Sequence, residues 1–326
     1  MERLPSTKLL NEILKNYFNE VEGLLGVAVC DRNGFIIASE SKEEDEEESD
    51  AIIGALSAML DTYIDRIKAE FGTTDNFFNI TSTGKRKFVF SSMGPNSILS
   101  TVADQYTTDI ELKVYSEHIA SKVELILTGN QFVSPKIPEI IKALSKTRGG
   151  RLPDLAGEYS NKVIFCGDFG VGKTSLIRRF VENRFEKDYI STIGVQLSKK
   201  TMLLSEKTKM NFILWDIGGQ RQFDLNRTSF YNGANAVFIV VDRTRPDNLK
   251  SIEKWYKDLK KGISRTVPIV IVGNKSDLTD EIVITEEEIK DIGKLFGFHY
   301  ILTSALTGEN VNDAFLYIAY RVVENL

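Results

Sequence analysis

Apolar side chains at the start of the chain recur at steps of three and four residues, which is the spacing of one face of a helix. The stripe consists of Leu9, Leu10, Ile13, Leu14, Tyr17 and Phe18. Two apolar runs follow on either side of Asn33-Gly34, a pair suited to the positive φ angles of a tight turn. The pattern therefore predicts a helix followed by a β-hairpin.

The next hundred residues predict further helices and strands. An acidic run, SKEEDEEESD, is typical of a solvated loop, and a second helix is expected near residues 50–70. Alternation predicts strands at 76–82, 86–93 and 97–103. A long helix is expected from about residue 105 to 128, ending near Gly129. This order of elements describes a small antiparallel α+β sheet covered by helices.

The pattern changes in the second half of the chain. Residues 131–158 have the composition of a connector, with Pro135, Pro138 and a possible short helix in EIIKALSKTR. From residue 159, apolar strands alternate with helices, which predicts a mostly parallel, doubly wound α/β sheet. The predicted strands are NKVIFCG, MNFILWD, AVFIVVD, VPIVIVGN and HYILTS. Polar residues follow nearly every strand, at the edge where such sheets bind ligands.

Composition supports two soluble domains, residues 1–130 and 159–326. Residues 1–130 hold 12 basic and 22 acidic side chains, a charge of −10, whereas the remainder holds 29 and 24, a charge of +5. Neither part has a basic patch dense enough for nucleic-acid binding.

No apolar run approaches the roughly 18 residues of a membrane span. Cys30 and Cys166 lie in apolar runs, so we expect buried thiols in a reducing cytoplasm.

A phosphate-binding motif follows the first strand of the second half. The sequence GDFGVGKT fits G-x-x-x-x-G-K-[ST] between a strand and a helix. Backbone N–H groups of such a loop surround phosphate oxygens, Lys173 would reach the β- and γ-phosphates, and the Thr174 hydroxyl would bind magnesium. The candidate residues are Gly167, Asp168, Phe169, Gly170, Val171, Gly172, Lys173, Thr174 and Ser175.

A second motif indicates which base is bound. Asn274-Lys275-Ser276-Asp277 directly follows the strand VPIVIVG, about one hundred residues after the P-loop. The Asp277 carboxylate can accept hydrogen bonds from N1 and N2 of guanine, whereas adenine would leave it unpaired. The stem of Lys275 can lie along the ring face. These residues therefore favour a guanine nucleotide.

With these motifs, residues 159–326 resemble a Ras-superfamily small GTPase, closest to the Rab and Arf branches. The resemblance implies that Thr192 in YISTIGV binds magnesium and senses the γ-phosphate. It implies that Asp216 in WDIGGQ holds magnesium through water and that the Gly219 amide binds the γ-phosphate. It also implies that Gln220 orients the attacking water, with Lys173 and magnesium stabilising phosphate charge. GTP, GDP and Mg²⁺ are the expected ligands.

The same resemblance covers the loop TSAL. The Ala305 amide is expected to meet the guanine carbonyl, beside Ser304 and Leu306, and Leu306 replaces a lysine found in many family members. Phe169 is a second departure, since its ring could obstruct an arginine from an activating partner or pack outward without effect. The pair Gly218-Gly219 before the glutamine is Arf-like.

Other features bear on regulation and partners. No built-in arginine finger is identifiable, so slow turnover is expected. Arg221 and Arg227 are candidates for contact with effectors or regulators at the switch regions, or ordinary solvated surface. Residue 2 is Glu and the sequence printed ends RVVENL, so neither myristoylation nor prenylation is encoded and no direct lipid anchor is expected.

Residues 5–130 resemble the roadblock family, a profilin-like fold, through the stretch LNEILKNYFNEVEGLLGVAVCDRNGFIIAS. A longin domain and an unrelated α+β module remain alternatives. Roadblock modules dimerise and serve small GTPases as platforms, which implies a homodimer through residues 1–130 and a GTP-hydrolysing switch with its own regulatory module. The alternative is a scaffold that holds nucleotide with negligible hydrolysis. A metabolic P-loop kinase is excluded because it would lack the two guanine-reading motifs.

Overall fold

The computed structural model of the chain describes residues 5–31, 35–42, 76–130, 133–146, 156–186, 192, 194–205, 208–219 and 227–324. The Asn33-Gly34 turn, most of the acidic run and the helix expected near 50–70 lie outside these ranges. The chain divides into two compact units, residues 1–137 with 141–152 and residues 138–140 with 153–326. None of the helices in the described ranges is long and apolar enough to cross a membrane.

The first unit has a helix, a hairpin, three more strands and two further helices. Its elements are α1 (Pro5–Glu20), β1 (Leu24–Asp31), β2 (Ile36–Ser41), β3 (Asn76–Thr83), β4 (Arg86–Met93), β5 (Ser97–Asp104), α2 (Asp109–Leu127) and α3 (Glu139–Ser145), of which residues 139 and 140 are grouped with the second unit. The strands form one antiparallel sheet in the order β2-β1-β5-β4-β3. The antiparallel pairing of β1 with β2 that the hairpin requires is confirmed, and so are the three expected strands.

Helices α1 and α2 bury apolar stripes in this unit. Leu10, Ile13, Leu14 and Tyr17 of α1 are each 1% exposed or less, which confirms the helical stripe read from the sequence. The Tyr17 hydroxyl lies 3.0 Å from that of Ser116 in α2. The two helices therefore pack together over the sheet.

Helix α2 begins at Asp109, four residues later than expected. The Asp104 carboxylate accepts hydrogen bonds from the N–H groups of Tyr106 (2.8 Å) and Thr107 (2.9 Å), which holds these residues in a turn. The Thr108 side chain then caps the helix by accepting from the Glu111 N–H. A local side-chain turn thus delays the helix.

The connector contains the short helix α3, and part of it packs within the first unit. Lys122 of α2 is only 3% exposed, and its ammonium donates to the carbonyls of Ser134 and Lys136, both at 2.6 Å. Lys142 of α3 forms an ion pair with Glu20 of α1 at 2.6 Å. The backbone of residues 134–136 therefore satisfies a buried charge of the first unit.

The second unit alternates strands and helices. Its elements are β6 (Gly157–Cys166), α4 (Lys173–Glu182), β7 (Val195–Ser205), β8 (Thr208–Ile217), α5 (Arg227–Tyr231), β9 (Ala236–Asp242), α6 (Asp247–Gly262), β10 (Ile269–Asn274), a 3₁₀ turn (Thr279–Glu281), α7 (Glu286–Phe296), β11 (His299–Leu302) and α8 (Val311–Glu324). The sheet order is β11-β10-β9-β6-β8-β7. All neighbouring strands are parallel except β7, which pairs with β8 in the antiparallel direction.

Both faces of this sheet are covered, as the doubly wound prediction requires. Ile164 and Cys166 of β6 face a core that contains Trp255 of α6 and Ile289 of α7. The intervening Phe165 points to the other face, where aromatic rings from three strands meet α4 and α8. These rings are Phe165, Phe180, Phe212, Phe238 and Phe315. Both cysteines are free and buried, as expected.

Candidate functional site

The P-loop connects the buried strand β6 to helix α4. Gly172 immediately precedes the helix with φ +96°, a conformation that side chains with a Cβ rarely adopt. A Cβ there would also lie 2.3 Å from Nδ2 of Asn274. Glycine is therefore required for the loop to turn tightly and present the N-terminus of α4, with its unpaired N–H groups, to an anion.

Lys173 opens α4 and is 6% exposed. Its ammonium donates to the carbonyls of Gly167 (2.8 Å) and Asp168 (3.0 Å). Burial lowers the pKa of Lys173, and the negative charge of Asp216 offsets part of that effect. Because the hydrogen bonds of this buried cation go to neutral carbonyls, an anionic ligand would stabilise it further.

Three oxygen-bearing side chains meet beside Lys173. The Thr174 and Thr192 hydroxyls are 2.7 Å apart, and both donate to Oδ2 of Asp216, with Thr192 at 3.2 Å. Burial raises the pKa of Asp216, while the hydrogen bond from Thr174 acts against it. Oδ1 of Asp216 is buried without a hydrogen-bond partner in the described part of the chain. This oxygen-only set fits Mg²⁺, which binds through one or two carboxylates and keeps water and phosphate ligands.

The segment after β8 passes directly over the P-loop. A Cβ at Gly219 would lie 2.6 Å from the backbone nitrogen of Phe169, so only glycine permits this approach. Gly219 therefore lies against the P-loop, as a contact between its amide and the γ-phosphate would require. Gln220, the expected water-orienting residue, lies outside the described residues.

Asn274 connects the P-loop to the loop that follows β11. Its Nδ2 donates to the Val171 carbonyl at 2.9 Å, and its Oδ1 accepts from the Ala305 N–H (3.2 Å) and the Thr303 hydroxyl (3.3 Å). The residue is 1% exposed. Its side chain thus holds the P-loop and the loop after β11 together.

The two charged members of the NKSD motif are oriented by neighbouring side chains. The Ser304 hydroxyl donates to Oδ1 of Asp277 at 2.5 Å. The Lys275 ammonium pairs at 2.5 Å with Asp242, a fully buried carboxylate at the end of β9. Burial alone would raise the pKa of Asp242, but hydrogen bonds from Lys275 and Thr244 outweigh it and hold the pKa below its usual value. Both side chains are therefore fixed before any ligand arrives.

These segments enclose a cavity of about 360 Å³. It is lined by the predicted site residues Phe169, Gly170, Gly172, Lys173, Thr174, Ser175, Thr192, Gly219, Asn274, Lys275, Asp277, Ala305 and Leu306. Four other predicted site residues do not line the cavity but contact residues that do. They are Gly167, Val171, Ser304 and Asp216. Phe169 is 44% exposed at the rim.

Asp168 does not direct its side chain to the cavity. Its carboxylate accepts hydrogen bonds from α6, namely from Asn248 Nδ2 (3.1 Å), Trp255 Nε1 (3.0 Å) and the Ser251 hydroxyl. Arg227 lies over the same Trp255 ring at 4.6 Å and is 3% exposed. The expectation that Arg227 is a partner contact or a solvated surface residue is wrong, because its guanidinium is buried against an aromatic face.

Three residues that support the site were missed by the sequence analysis. Asp242 holds Lys275, Arg245 donates to the Phe169 carbonyl at 3.0 Å, and Arg179 donates to the Ala305 carbonyl at 2.9 Å. Asp242 was identifiable, because it is the last residue of the apolar run AVFIVVD and so stands at the carboxyl edge. Long arginine side chains reach across the fold and leave no local pattern.

Comparison with known proteins agrees with this geometry. The model of the Ras family matches residues 162–324. The GTP-binding protein YPT1 of Saccharomyces cerevisiae is 35% identical over 169 residues, which cover 52% of this chain and 82% of the yeast protein. The Ras-related protein RABA6b of Arabidopsis thaliana is 37% identical over 169 residues, covering 52% and 73%.

A P-loop and an NKSD motif at the carboxyl edge of this sheet are features of small GTPases. The chain belongs to the Ras family, and the two relatives place its second unit with the Rab-like members. The Arf-like character inferred from Gly218-Gly219 stays a prediction.

Proposed function

We propose that this protein is a molecular switch that binds GTP and hydrolyses it to GDP. The observation that carries the proposal is the single cavity in which a buried lysine, a cluster of hydroxyl and carboxylate oxygens and an oriented Asp277 converge. The first binds phosphate charge, the second suits a hard cation, and the third selects a base with two adjacent donors. Together they match a guanine nucleoside triphosphate with magnesium.

Hydrolysis in such a site depends on positioning and charge neutralisation. Lys173 would stabilise charge that develops on the phosphates, and Thr192 would hold the first switch segment against the γ-phosphate. Gln220 would place the attacking water. Mg²⁺, held by Thr174, Thr192 and water on Asp216, would supply further neutralisation of phosphate charge.

Phe169 favours a second candidate function, a scaffold that binds nucleotide and barely hydrolyses it. Its ring lines the cavity beside the phosphate loop, where an arginine supplied by a partner would approach. Such an arginine is worth on the order of 10³–10⁵ in rate. If the ring blocks it, nucleotide is retained without efficient turnover.

GTP turnover of the full chain separates these two functions. The wild-type protein should hydrolyse GTP slowly, and Gln220→Leu should abolish turnover while GTP is still bound tightly. If both proteins bind GTP and show the same negligible rate, the switch proposal fails and the scaffold is supported. Phe169→Gly, tested with a GTPase-activating protein for Rab-like substrates, shows whether the ring limits acceleration.

We further propose that the first unit is a roadblock-like module through which the protein dimerises and regulates its own GTPase. The supporting observations are an antiparallel five-stranded sheet with helices α1 and α2 packed together over it. Light scattering on the full chain over a hundred-fold range of concentration tests this proposal. A strictly monomeric protein contradicts it, whereas a dimer lost on removal of residues 1–130 supports it.

A further inference from the structure

The guanidinium of Arg179 extends from helix α4 to the loop after β11. Nε donates to the Ala305 carbonyl at 2.9 Å, and Nη2 donates to the Leu306 carbonyl. Nη1 donates to the carbonyl of Asn183, at the end of α4, at 3.1 Å. One side chain thus joins the helix that starts at the phosphate loop to the loop expected to contact the base.

The partners of Arg179 are mostly backbone carbonyls. In the described parts of the chain, the hydrogen bonds of Arg179 go to carbonyl oxygens and to the Asn183 side chain, and none of its contacts is an ion pair. Nε and Nη2 form one edge of a rigid planar fork, and here they hold two successive carbonyls. Because the donor is charged, these bonds are stronger than those between neutral groups.

Fixing these carbonyls also fixes the N–H groups of the same peptide planes. In a trans peptide the C=O and N–H point in opposite directions. When Arg179 holds the Ala305 carbonyl, the Leu306 N–H must point away from the guanidinium. When Arg179 holds the Leu306 carbonyl, the Thr307 N–H likewise points away from the guanidinium. The Thr307 N–H donates to the Ser304 hydroxyl at 3.0 Å.

The opposite side of the loop faces the cavity. Ala305 and Leu306 line it together with Asp277, and Ser304 donates from the same loop to the Asp277 carboxylate. The Leu306 N–H, which points away from the guanidinium, therefore stands on the side of the carboxylate that would read N1 and N2 of the base, whereas the Ala305 N–H donates to Asn274 Oδ1. On guanine, the group adjacent to N1 is the C6 oxygen, an acceptor.

We propose that Arg179 is a positioning residue for recognition of the guanine C6 oxygen. It acts from the side of the loop opposite the ligand, by orienting the Leu306 N–H so that this group donates to the oxygen. The proposal rests on the proposed function, because it requires a guanine nucleotide in the cavity. It assigns to Arg179 a role in base selection that a brace for general stability would not have.

Nucleotide analogues distinguish positioning from stability. The full chain carrying Arg179→Ala is compared with wild type for GDP, for inosine diphosphate, which keeps the C6 oxygen, and for 2-aminopurine riboside diphosphate, which lacks the C6 oxygen and also the proton on N1. Dissociation constants for GDP and inosine diphosphate should rise about ten-fold, roughly the loss of one hydrogen bond. The constant for the 2-aminopurine nucleotide should change less than about two-fold, because the lost contact is absent already.

Two further variants complete the experiment. Arg179→Lys retains an ammonium donor but not the planar fork, so its loss of nucleotide affinity should be smaller than that of Arg179→Ala. The loss should again be confined to the nucleotides that carry the C6 oxygen. This variant provides the test if the alanine variant does not fold. Arg184→Ala is the matched control, because Arg184 is 61% exposed and pairs with Glu182 and Glu186 rather than with the loop. It should leave all three constants unchanged.

Two results overturn the proposal. If Arg179→Ala weakens the binding of all three nucleotides equally, Arg179 stabilises the loop without acting on the C6 oxygen. If GDP affinity does not change, Arg179 has no role in nucleotide binding. Failure of the proposed function would look different, because wild-type protein would then bind ADP as well as GDP. That result would be visible before any variant is made.

Discussion

Replacing Asn274 by alanine should destabilise the second unit by about 3 kcal/mol. The substitution removes three hydrogen bonds of a side chain that is 1% exposed. The Val171 carbonyl and the Ala305 N–H then lose a buried partner, at about 1–3 kcal/mol each. Loss of the Thr303 bond adds little, since a hydroxyl can rotate to another acceptor, and the neighbouring bonds are not fully additive.

Tryptophan fluorescence in urea measures this effect in one unit. The chain has two tryptophans, Trp215 and Trp255, and both belong to the second unit. With a slope of about 1–3 kcal/mol per molar urea, a loss of about 3 kcal/mol lowers the midpoint by roughly 1–3 M. The protein must be free of nucleotide, because a bound ligand adds its own stabilisation.

A matched asparagine provides the control. Asn211 makes two side-chain hydrogen bonds, with Glu158 and Thr201, both at 2.6 Å, but they lie at the solvent-exposed surface. Asn211→Ala should cost about 1 kcal/mol or less, since water replaces the lost partners. If Asn274→Ala destabilises no more than Asn211→Ala, the assignment of Asn274 as the connection between the two loops is refuted.

Three other predictions concern base choice, the connector and the cysteines. Asp277→Asn should shift preference from guanine towards xanthine nucleotides, measured by competition binding, and unchanged GTP affinity would contradict the base-reading assignment. Lys122→Met should free the backbone carbonyls of residues 134–136 and expose that segment to limited proteolysis; cleavage no faster than in wild type would contradict its packing. Burial raises the pKa of Cys30 to about 11 and that of Cys166 to about 12, so both thiols should resist iodoacetamide at pH 8 until the protein is unfolded, and rapid labelling of the native protein would refute their burial.

Much of the fold could be read from the sequence because its signals are local. The strands β3, β4 and β5 were predicted to within one residue. Strand β7 was missed, because VQLSKKTMLLS lies at the edge of the sheet and carries exposed leucines and charges rather than an apolar run. The start of α2 was misplaced because the turn at Asp104 depends on a single side chain.

The candidate site shows a different limit. Motif spacing placed Lys173, Thr174 and Asp277 around one cavity, since strand ends of a parallel sheet meet at one edge. It did not show that Asp168 turns to α6, or that Asn274 joins two loops. Such roles depend on which distant helix or loop lies within reach of a side chain, and only the folded chain determines that.

The strand order of the first unit has a consequence for synthesis on the ribosome. Strand β1 pairs with β2 beside it in sequence, but its other edge pairs with β5, where Val27 is opposite Thr101. Until residue 104 leaves the exit tunnel, the nascent chain presents the apolar strand LLGVAVCD with one side of its backbone unpaired. Exposed strand edges recruit other chains. A nascent chain paused between β2 and β5 therefore exposes an unpaired apolar strand edge, which a chaperone can cover or to which a neighbouring copy can add its own strand.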